Sequence, residues 1–269
     1  MPIADTRSGP IYYDEHGDGP PLLVSHGGPG LSHDLYRSLD SLGSTRRLVY
    51  WDHRGHGRSG PLPNGDVAMS LFADDTVALA DHLGIESFAL FGHSFGGWVA
   101  QETALRHPDR VSALILLATT PGQLGASESP NDDQGPPMPE EVAALMSRQP
   151  ESDADVVSIY THLAPFFMRD ADASILLDSL DESLASADSF ARVFGALAAW
   201  STVDRLHQIN CPTLIVAGRH DIFCSPQQLE RMAKRIPSAQ RLTFDAGHFM
   251  WLEQPRAFHD QVTPWLTRH

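Results

Sequence analysis

The chain has 269 residues, 42% of them hydrophobic, and a formal net charge of −15. That length can bury a large core, as one α/β domain or two smaller ones, and the negative balance argues against nucleic acid or anionic membrane as a partner. No apolar run approaches the roughly 18 residues that span a bilayer, and Met1 to Arg7 lacks the apolar centre of a signal peptide, so the cytoplasm is the expected location. Cys211 and Cys224 flank a predicted strand at opposite ends, too far apart to bridge. Of the fourteen histidines, His53 and His56 are three apart, but no His-x-His or His-x-x-x-His spacing exists, so no metal site is expected.

In chain order, residues 1–20 read as an edge hairpin, with Ile11-Tyr12-Tyr13 as a β-rich run and Gly17 to Pro21 as a turn cluster. Leu22-Leu23-Val24-Ser25 is a short apolar strand of the kind covered on both faces. It runs into His26-Gly27-Gly28-Pro29-Gly30, a loop with little side-chain cover that can hold an N–H toward a developing oxyanion. No Gly-Lys-Ser/Thr follows, so it is not a phosphate loop. Leu35 to Leu42 has a helical pattern, and Arg47 to Trp51 is a strand ending in the polar loop Asp52 to Gly60. Ser70 is the expected N-cap of a helix carrying Phe72, Leu79 and Leu83.

Phe88-Ala89-Leu90-Phe91 then leads into Gly92-His93-Ser94-Phe95-Gly96, and a helical pattern leads out. Strand, sharp turn and helix place one serine at the apex. A Cβ at Gly92 or Gly96 would collide with neighbouring elements, and the Phe95 N–H falls at a helix N-terminus. Val111 to Ala118 is another buried-type strand. Strands alternating with helices predict an α/β fold, with a mostly parallel sheet and helices on both faces. Right-handed crossovers put the strand carboxyl ends on one edge, where ligands bind.

The pattern changes between Gly122 and Asp204. Strands disappear, and fifteen Asp and Glu face three Arg and no Lys. A polar, proline-rich loop, Glu128 to Pro139, precedes helical segments at 140–147, 153–167, 171–184 and 190–200. This predicts a helical cap (122–204) inserted between two parts of the core (1–121 and 205–269), with the loop at 125–139 as a lid margin. After Leu206 the rhythm resumes. Pro212 to Gly218 is a strand followed by Arg219-His220-Asp221. Gln227 to Arg235 is a helix, and Arg241 to Phe244 is a strand followed by Asp245-Ala246-Gly247-His248. A last amphipathic helix carries Phe258, Val262, Trp265 and Leu266.

Three strand ends thus present Ser94, Asp221 and His248. A serine hydroxyl is a poor nucleophile near neutral pH and needs a base to take its proton. An imidazole suits that role, and a carboxylate on its far nitrogen fixes the tautomer. The order Ser, Asp, His is that of the α/β-hydrolase fold.

The chain resembles an α/β-hydrolase from end to end. His26 to Gly30, Asp52 to Ser59, Gly218-Arg219-His220-Asp221 and Gly247-His248 resemble the proline iminopeptidase branch. The resemblance implies Ser94 as nucleophile, Asp221 as acid and His248 as base, with the Gly28 and Phe95 backbone N–H groups as oxyanion hole. The elbow itself, with His93 and Phe95, has the form common in esterases and lactonases. Ile222 stands where some members of the branch place a glutamate that holds the substrate amine.

The expected chemistry is acyl transfer to water through an acyl-enzyme, with no cofactor. Two substrate classes stay open. A net-negative lid favours a small substrate or short peptide with a free amine, as for a proline iminopeptidase. A carboxylesterase or lactonase would have no amine requirement. A third possibility is a ligand-binding receptor on a hydrolase scaffold. His26, Phe166, Phe167 and Trp200 are candidate substrate contacts, although loop support and cap packing are competing roles for them.

Overall fold

The computed structural model describes residues 2–122, 138–169, 173–198 and 200–269. Eight strands form one sheet in the order β1-β2-β4-β3-β5-β6-β7-β8. They are β1 (Ile3–Thr6), β2 (Gly9–His16), β3 (Pro21–Ser25), β4 (Arg47–Trp51), β5 (Phe88–His93), β6 (Val111–Leu117), β7 (Thr213–Gly218) and β8 (Ala239–Phe244). β1 and β2 form the antiparallel edge hairpin, β2 pairs antiparallel with β4, and every later pairing is parallel. β5 is buried at every residue, because helices cover both faces of a parallel sheet.

The order reverses between β3 and β5. The chain leaves β3 for β4 on one side and reaches β5 on the other. Such a reversal opens a crevice at the carboxyl ends of the strands. Ser25 lies beside Gly92 in the register, so the glycine-rich loop and the serine elbow emerge side by side.

The core helices are α1 (Met69–His82), α2 (Phe95–Arg106), α7 (Pro226–Arg235), α8 (Met250–Glu253) and α9 (Pro255–Arg268); α3 (Glu140–Ser147), α4 (Asp153–Phe167), α5 (Ser174–Asp178) and α6 (Ala187–Leu197) lie between β6 and β7. Some expected elements are displaced. The 35–42 segment is 3-10 helix over Asp34–Ser44. α1 starts at Met69, so Ser70 falls inside it and Ala68 is the uncapped N-cap. Met69 is buried in a cluster with Phe72 and Phe95, and that packing sets the first turn in place of a capping hydroxyl. The expected 171–184 helix is reduced to α5 and a 3-10 turn at Glu182–Leu184; residues 171 and 172 lie outside the described residues, as does most of the 125–139 loop. Cys211 and Cys224 are both free.

Val142, Val156, Ile159, Tyr160, Leu163 and Phe190 form their own apolar cluster between α3, α4 and α6. Their acidic neighbours point away from it. Glu140, Glu141, Glu151, Asp153, Asp178, Asp181, Glu182, Asp188 and Asp204 are all exposed, as expected of charges that solvate outer helix faces.

Candidate active site

Ser94 sits between β5 and α2 with φ 52° and ψ −119°. This is a left-handed conformation that a non-glycine residue holds only when its surroundings enforce it, at a cost on the order of 1–3 kcal/mol. The surroundings are specific. The Ser94 N–H donates to the Leu117 carbonyl at 3.0 Å, and the Thr119 hydroxyl donates to the Ser94 carbonyl at 2.9 Å. A Cβ on Gly96 would lie 2.1 Å from the Ser25 carbonyl oxygen, and one on Gly92 would lie 2.5 Å from that of Gly96. The elbow therefore accepts only glycine at both flanks.

Asp221 follows β7 and His248 follows β8. His248 Nδ1 donates to Asp221 Oδ2 at 2.8 Å, with both residues buried. Asp221 Oδ1 accepts the N–H groups of Phe223 and Cys224 at 2.8 and 3.0 Å. The carboxylate is thus fully engaged and held in one orientation. The His248 N–H donates to the Phe167 carbonyl at 2.7 Å, which ties the histidine to the end of α4. Ser94 and His248 line the same cavity. The Ser94 hydroxyl makes no hydrogen bond with another described residue, a looseness common in sites without substrate.

Gly28 has φ +74°, and neither its N–H nor that of Phe95 donates to another described residue. The Phe95 ring is buried, stacked on His56 at 5.6 Å and edge-on to Phe72. That anchors the start of α2, where the free amide lies.

The cavity at Ser94 measures about 190 Å³. Its apolar wall includes Tyr160, Leu163, Phe190, Phe194 and Phe223, and no Asp, Glu, Lys or Arg lines it among the described residues. Phe167 is on the wall. The other three candidate contacts are not. Phe166 packs within the α3–α6 cluster. The Trp200 indole N–H donates to Glu102 Oε2 at 3.1 Å, and its ring lies against Trp98. Burial would raise the Glu102 carboxyl, but Arg205 and Trp200 hold it below the usual carboxylate range.

His26 is fully buried behind the loop. Its Nδ1 donates to the Gly27 carbonyl at 2.8 Å and its Nε2 accepts the His53 N–H at 3.1 Å. Burial, with His56 nearby, pushes it down to about 3, so the ring is a neutral brace. Sequence reasoning missed Tyr160, Leu163, Phe190, Phe194 and Phe223 on the wall. Tyr160, Leu163 and Phe167 recur at helical spacing on α4, and that period was the available signal. Tyr36, whose hydroxyl accepts the Gly27 N–H at 2.7 Å, carried no motif.

Asp221, Cys224 and His248 bring ligand-type atoms within 4.8 Å of one another. They suit a cation poorly. Both carboxylate oxygens and His248 Nδ1 are already hydrogen-bonded. Burial and the nearby Asp221 also push the Cys224 thiol well up, which disfavours the thiolate that a metal needs.

A strand-end serine in a strained elbow, beside a buried Asp–His pair and a glycine loop, defines a hydrolase-type site, and the chain belongs to the alpha/beta hydrolase fold family, matching it over residues 20–255. It is 26% identical over 260 residues to "Putative carbamate hydrolase RutD" of Pseudomonas savastanoi pv. phaseolicola, covering 95% of this chain and 97% of that one. It is also 26% identical over 273 residues to a proline iminopeptidase of Lactobacillus helveticus, covering 95% and 92%. A thermophilic esterase from Thermogutta terrifontis superposes with a TM-score of 0.80 at 26% identity, covering 99% of this chain and 98% of that one. The protein is a hydrolase of this family.

Proposed function

We propose that the protein hydrolyses uncharged esters or lactones that carry an apolar acyl group. The observation that carries this reading is the wall of the cavity at Ser94, which offers apolar side chains and, among the described residues, no carboxylate. An ammonium group placed there would lose its water without gaining a counter-charge, at a cost of several kcal/mol. Among the described residues, the exposed acidic side chains of α3 to α6 do not supply that charge, because they lie on outer faces.

In this reading, Ser94 Oγ attacks the carbonyl carbon while His248 Nε2 takes its proton. Asp221 holds the imidazole tautomer and stabilises the cation that forms. The tetrahedral oxyanion is received by the Gly28 and Phe95 amides, each typically contributing about 3–4 kcal/mol to the transition state. His248 returns its proton to the leaving oxygen and the alcohol departs. Water then attacks the acyl-enzyme with His248 again as base, which releases the acid and restores Ser94. Helices α3 to α6 act as a cap that forms the acyl pocket.

A second reading, hydrolysis of a substrate with a free N-terminal amine, is favoured by the iminopeptidase relative. Ile222, partly buried among the apolar residues of the α3–α6 cluster, offers an amine nothing. The two readings separate on p-nitrophenyl hexanoate and proline p-nitroanilide, with Ser94→Ala as control. The ester is expected to be preferred by about 100-fold or more in kcat/KM, equivalent to about 2.7 kcal/mol, with all turnover lost in Ser94→Ala. Preference for the arylamide, abolished by acetylating its amine, overturns the ester reading.

A further inference from the structure

A chain of buried hydrogen bonds joins the glycine loop to the histidine loop along the wall of the cavity, which Gly27, Tyr36 and His93 line beside Ser94. His93 Nε2 lies 3.1 Å from the His248 carbonyl oxygen. A carbonyl only accepts, so Nε2 carries the proton. In the neutral ring Nδ1 then holds a lone pair, and the Tyr36 hydroxyl at 2.6 Å donates to it. The Tyr36 oxygen is left to accept the Gly27 N–H at 2.7 Å. Each donor has one acceptor, and the direction of every bond follows from the one fixed end.

The surroundings keep His93 neutral. It is buried, with Trp251 and Phe249 against its ring at 4.8 and 4.9 Å. Burial, and then the proximity of His248, holds it well below the ordinary imidazole value. The contact with the loop is close as well. A Cβ on Gly27 would lie 2.9 Å from the Tyr36 hydroxyl and 3.0 Å from His93 Nδ1.

We propose that Tyr36 and His93 are positioning residues that fix the oxyanion loop relative to the His248 loop, so that the Gly28 amide and the imidazole hold one mutual geometry. This rests on the roles of Ser94, His248 and Gly28 given above. Gly27 directly precedes the amide that receives the oxyanion, and His93 directly precedes the nucleophile. A bond to each of residues 27 and 248 therefore constrains the donor and the base together. Misplacement by about 1 Å costs on the order of 100-fold in rate, while ground-state binding in the apolar cavity is left largely intact.

The test is Tyr36→Phe, which removes the acceptor for Gly27 and the donor to His93 without changing the ring. Active enzyme is counted by fluorophosphonate titration of Ser94, so that partial unfolding is not scored as a rate effect. The kcat on a neutral ester is expected to fall roughly 10- to 100-fold with KM within about threefold. Inhibition by an alkyl trifluoromethyl ketone, whose adduct with Ser94 places an oxyanion in the hole, should weaken by the same factor. His93→Gln keeps a donor near the His248 carbonyl and should lose less than His93→Ala. A kcat within twofold of wild type, or a lower kcat with unchanged ketone inhibition, overturns the proposal. If wild type itself shows no turnover that Ser94→Ala removes, the parent reading has failed, and the relay is then judged by imidazole 15N shifts. The same spectrum decides if Tyr36→Phe does not fold. A neutral Nε2–H tautomer at His93 near pH 7 supports the directed chain, and an Nδ1–H tautomer or a cationic ring overturns it.

Discussion

The floor and the roof of the cavity are built from different physics. The floor, at the carboxyl ends of β3, β4, β5, β7 and β8, is held by directed bonds. Asp52 is fully buried and accepts from the His33 N–H and Nδ1 on one oxygen and from the Arg58 N–H on the other. Burial would raise its carboxyl, but the His33 bond and charge drive it well below the usual range. Arg54 forms a buried bidentate pair with Asp75 at 2.8 and 2.5 Å. The roof, α3 to α6, meets the cavity through apolar side chains. It is also tied to the floor by polar contacts, among them Tyr160 to the Pro29 carbonyl at 3.0 Å, Ser186 N–H to the Gly30 carbonyl at 2.9 Å, the Ser189 hydroxyl to the Gly55 carbonyl and the His248 N–H to the Phe167 carbonyl at 2.7 Å. Directed bonds fix a geometry and penalise any change. Apolar packing tolerates a change of shape if volume is kept. In the proposed reading, the floor is thus suited to holding chemistry constant while the roof sets what fits.

The largest expected effect is on the chemistry the floor holds. Ser94→Ala and Asp221→Asn should each lower kcat/KM on a neutral ester by about 10⁴-fold or more. The Asp221→Asn loss should appear mainly in kcat, because in the proposed reading the roof binds the substrate. An Asp221→Asn variant within tenfold of wild type would remove Asp221 from the proposed mechanism.

Next come two losses of stability in the floor. Asp52→Ala leaves the buried His33 donors and the part-buried Arg58 N–H without their carboxylate, and should cost about 3–5 kcal/mol in denaturant unfolding. A cost under about 1 kcal/mol would mean water replaces the carboxylate. The floor should also fail with acid. Burial pushes His26 down to about 3 and His56 down to about 4. Unfolded imidazoles bind protons below about pH 6.5, where these two rings in the folded state do not. Their contribution is therefore complete above pH 6.5 and lost as pH falls toward 4 and then 3. Each loses up to about 1.4 kcal/mol per pH unit, or about 2 kcal/mol between pH 6.5 and 5. Asp52 adds its own loss only below about pH 3.8, the ordinary carboxylate range. Urea midpoints at pH 7 and pH 5 check this, and an unchanged midpoint would mean that the rings are protonated in the folded state.

The same contrast explains what was legible in the sequence. The floor was largely readable because its parts are local and covalently ordered. Ser94 directly follows β5, Asp221 and His248 lie within four residues of the ends of β7 and β8, and Gly92 and Gly96 announce a close approach that the structure contains. The roof was readable as helices but not as a wall. Phe166 and Trp200 have the right chemistry but face the cap interior and Glu102, because rotation of a helix about its axis is decided by packing that sequence spacing only outlines. Phe223, which follows Asp221, reaches the cavity through a turn that no pattern marked. For His26, its place in the glycine loop leaves loop support and ligand contact as competing roles. Its two ring nitrogens are used by the adjacent Gly27 carbonyl and by the His53 N–H, and the second is a long-range pairing that only the folded register creates. Tyr36 was invisible for the same reason, since its partners at Gly27 and His93 lie 9 and 57 residues away.

The smallest effect should be the most selective one, and it lies in the roof. Phe194 is only partly buried, packs on Phe190 at 4.7 Å between centroids, and lines the cavity. Phe194→Ala removes a ring from the wall without leaving any polar group unpaired. A fully buried Phe→Ala change costs about 3–5 kcal/mol, and a partly buried one that opens onto an existing cavity should cost less, about 1–2 kcal/mol. The room it opens should accept a longer acyl chain. Each added methylene that leaves water contributes about 0.8 kcal/mol, so two more buried carbons shift preference by roughly tenfold. A panel of p-nitrophenyl esters from acetate to decanoate should therefore move its optimum about two carbons longer, with kcat at the new optimum close to that of wild type. An equal fall on every chain length would show that Phe194 holds up the site rather than shaping it, and the division between floor and roof would fail at that residue.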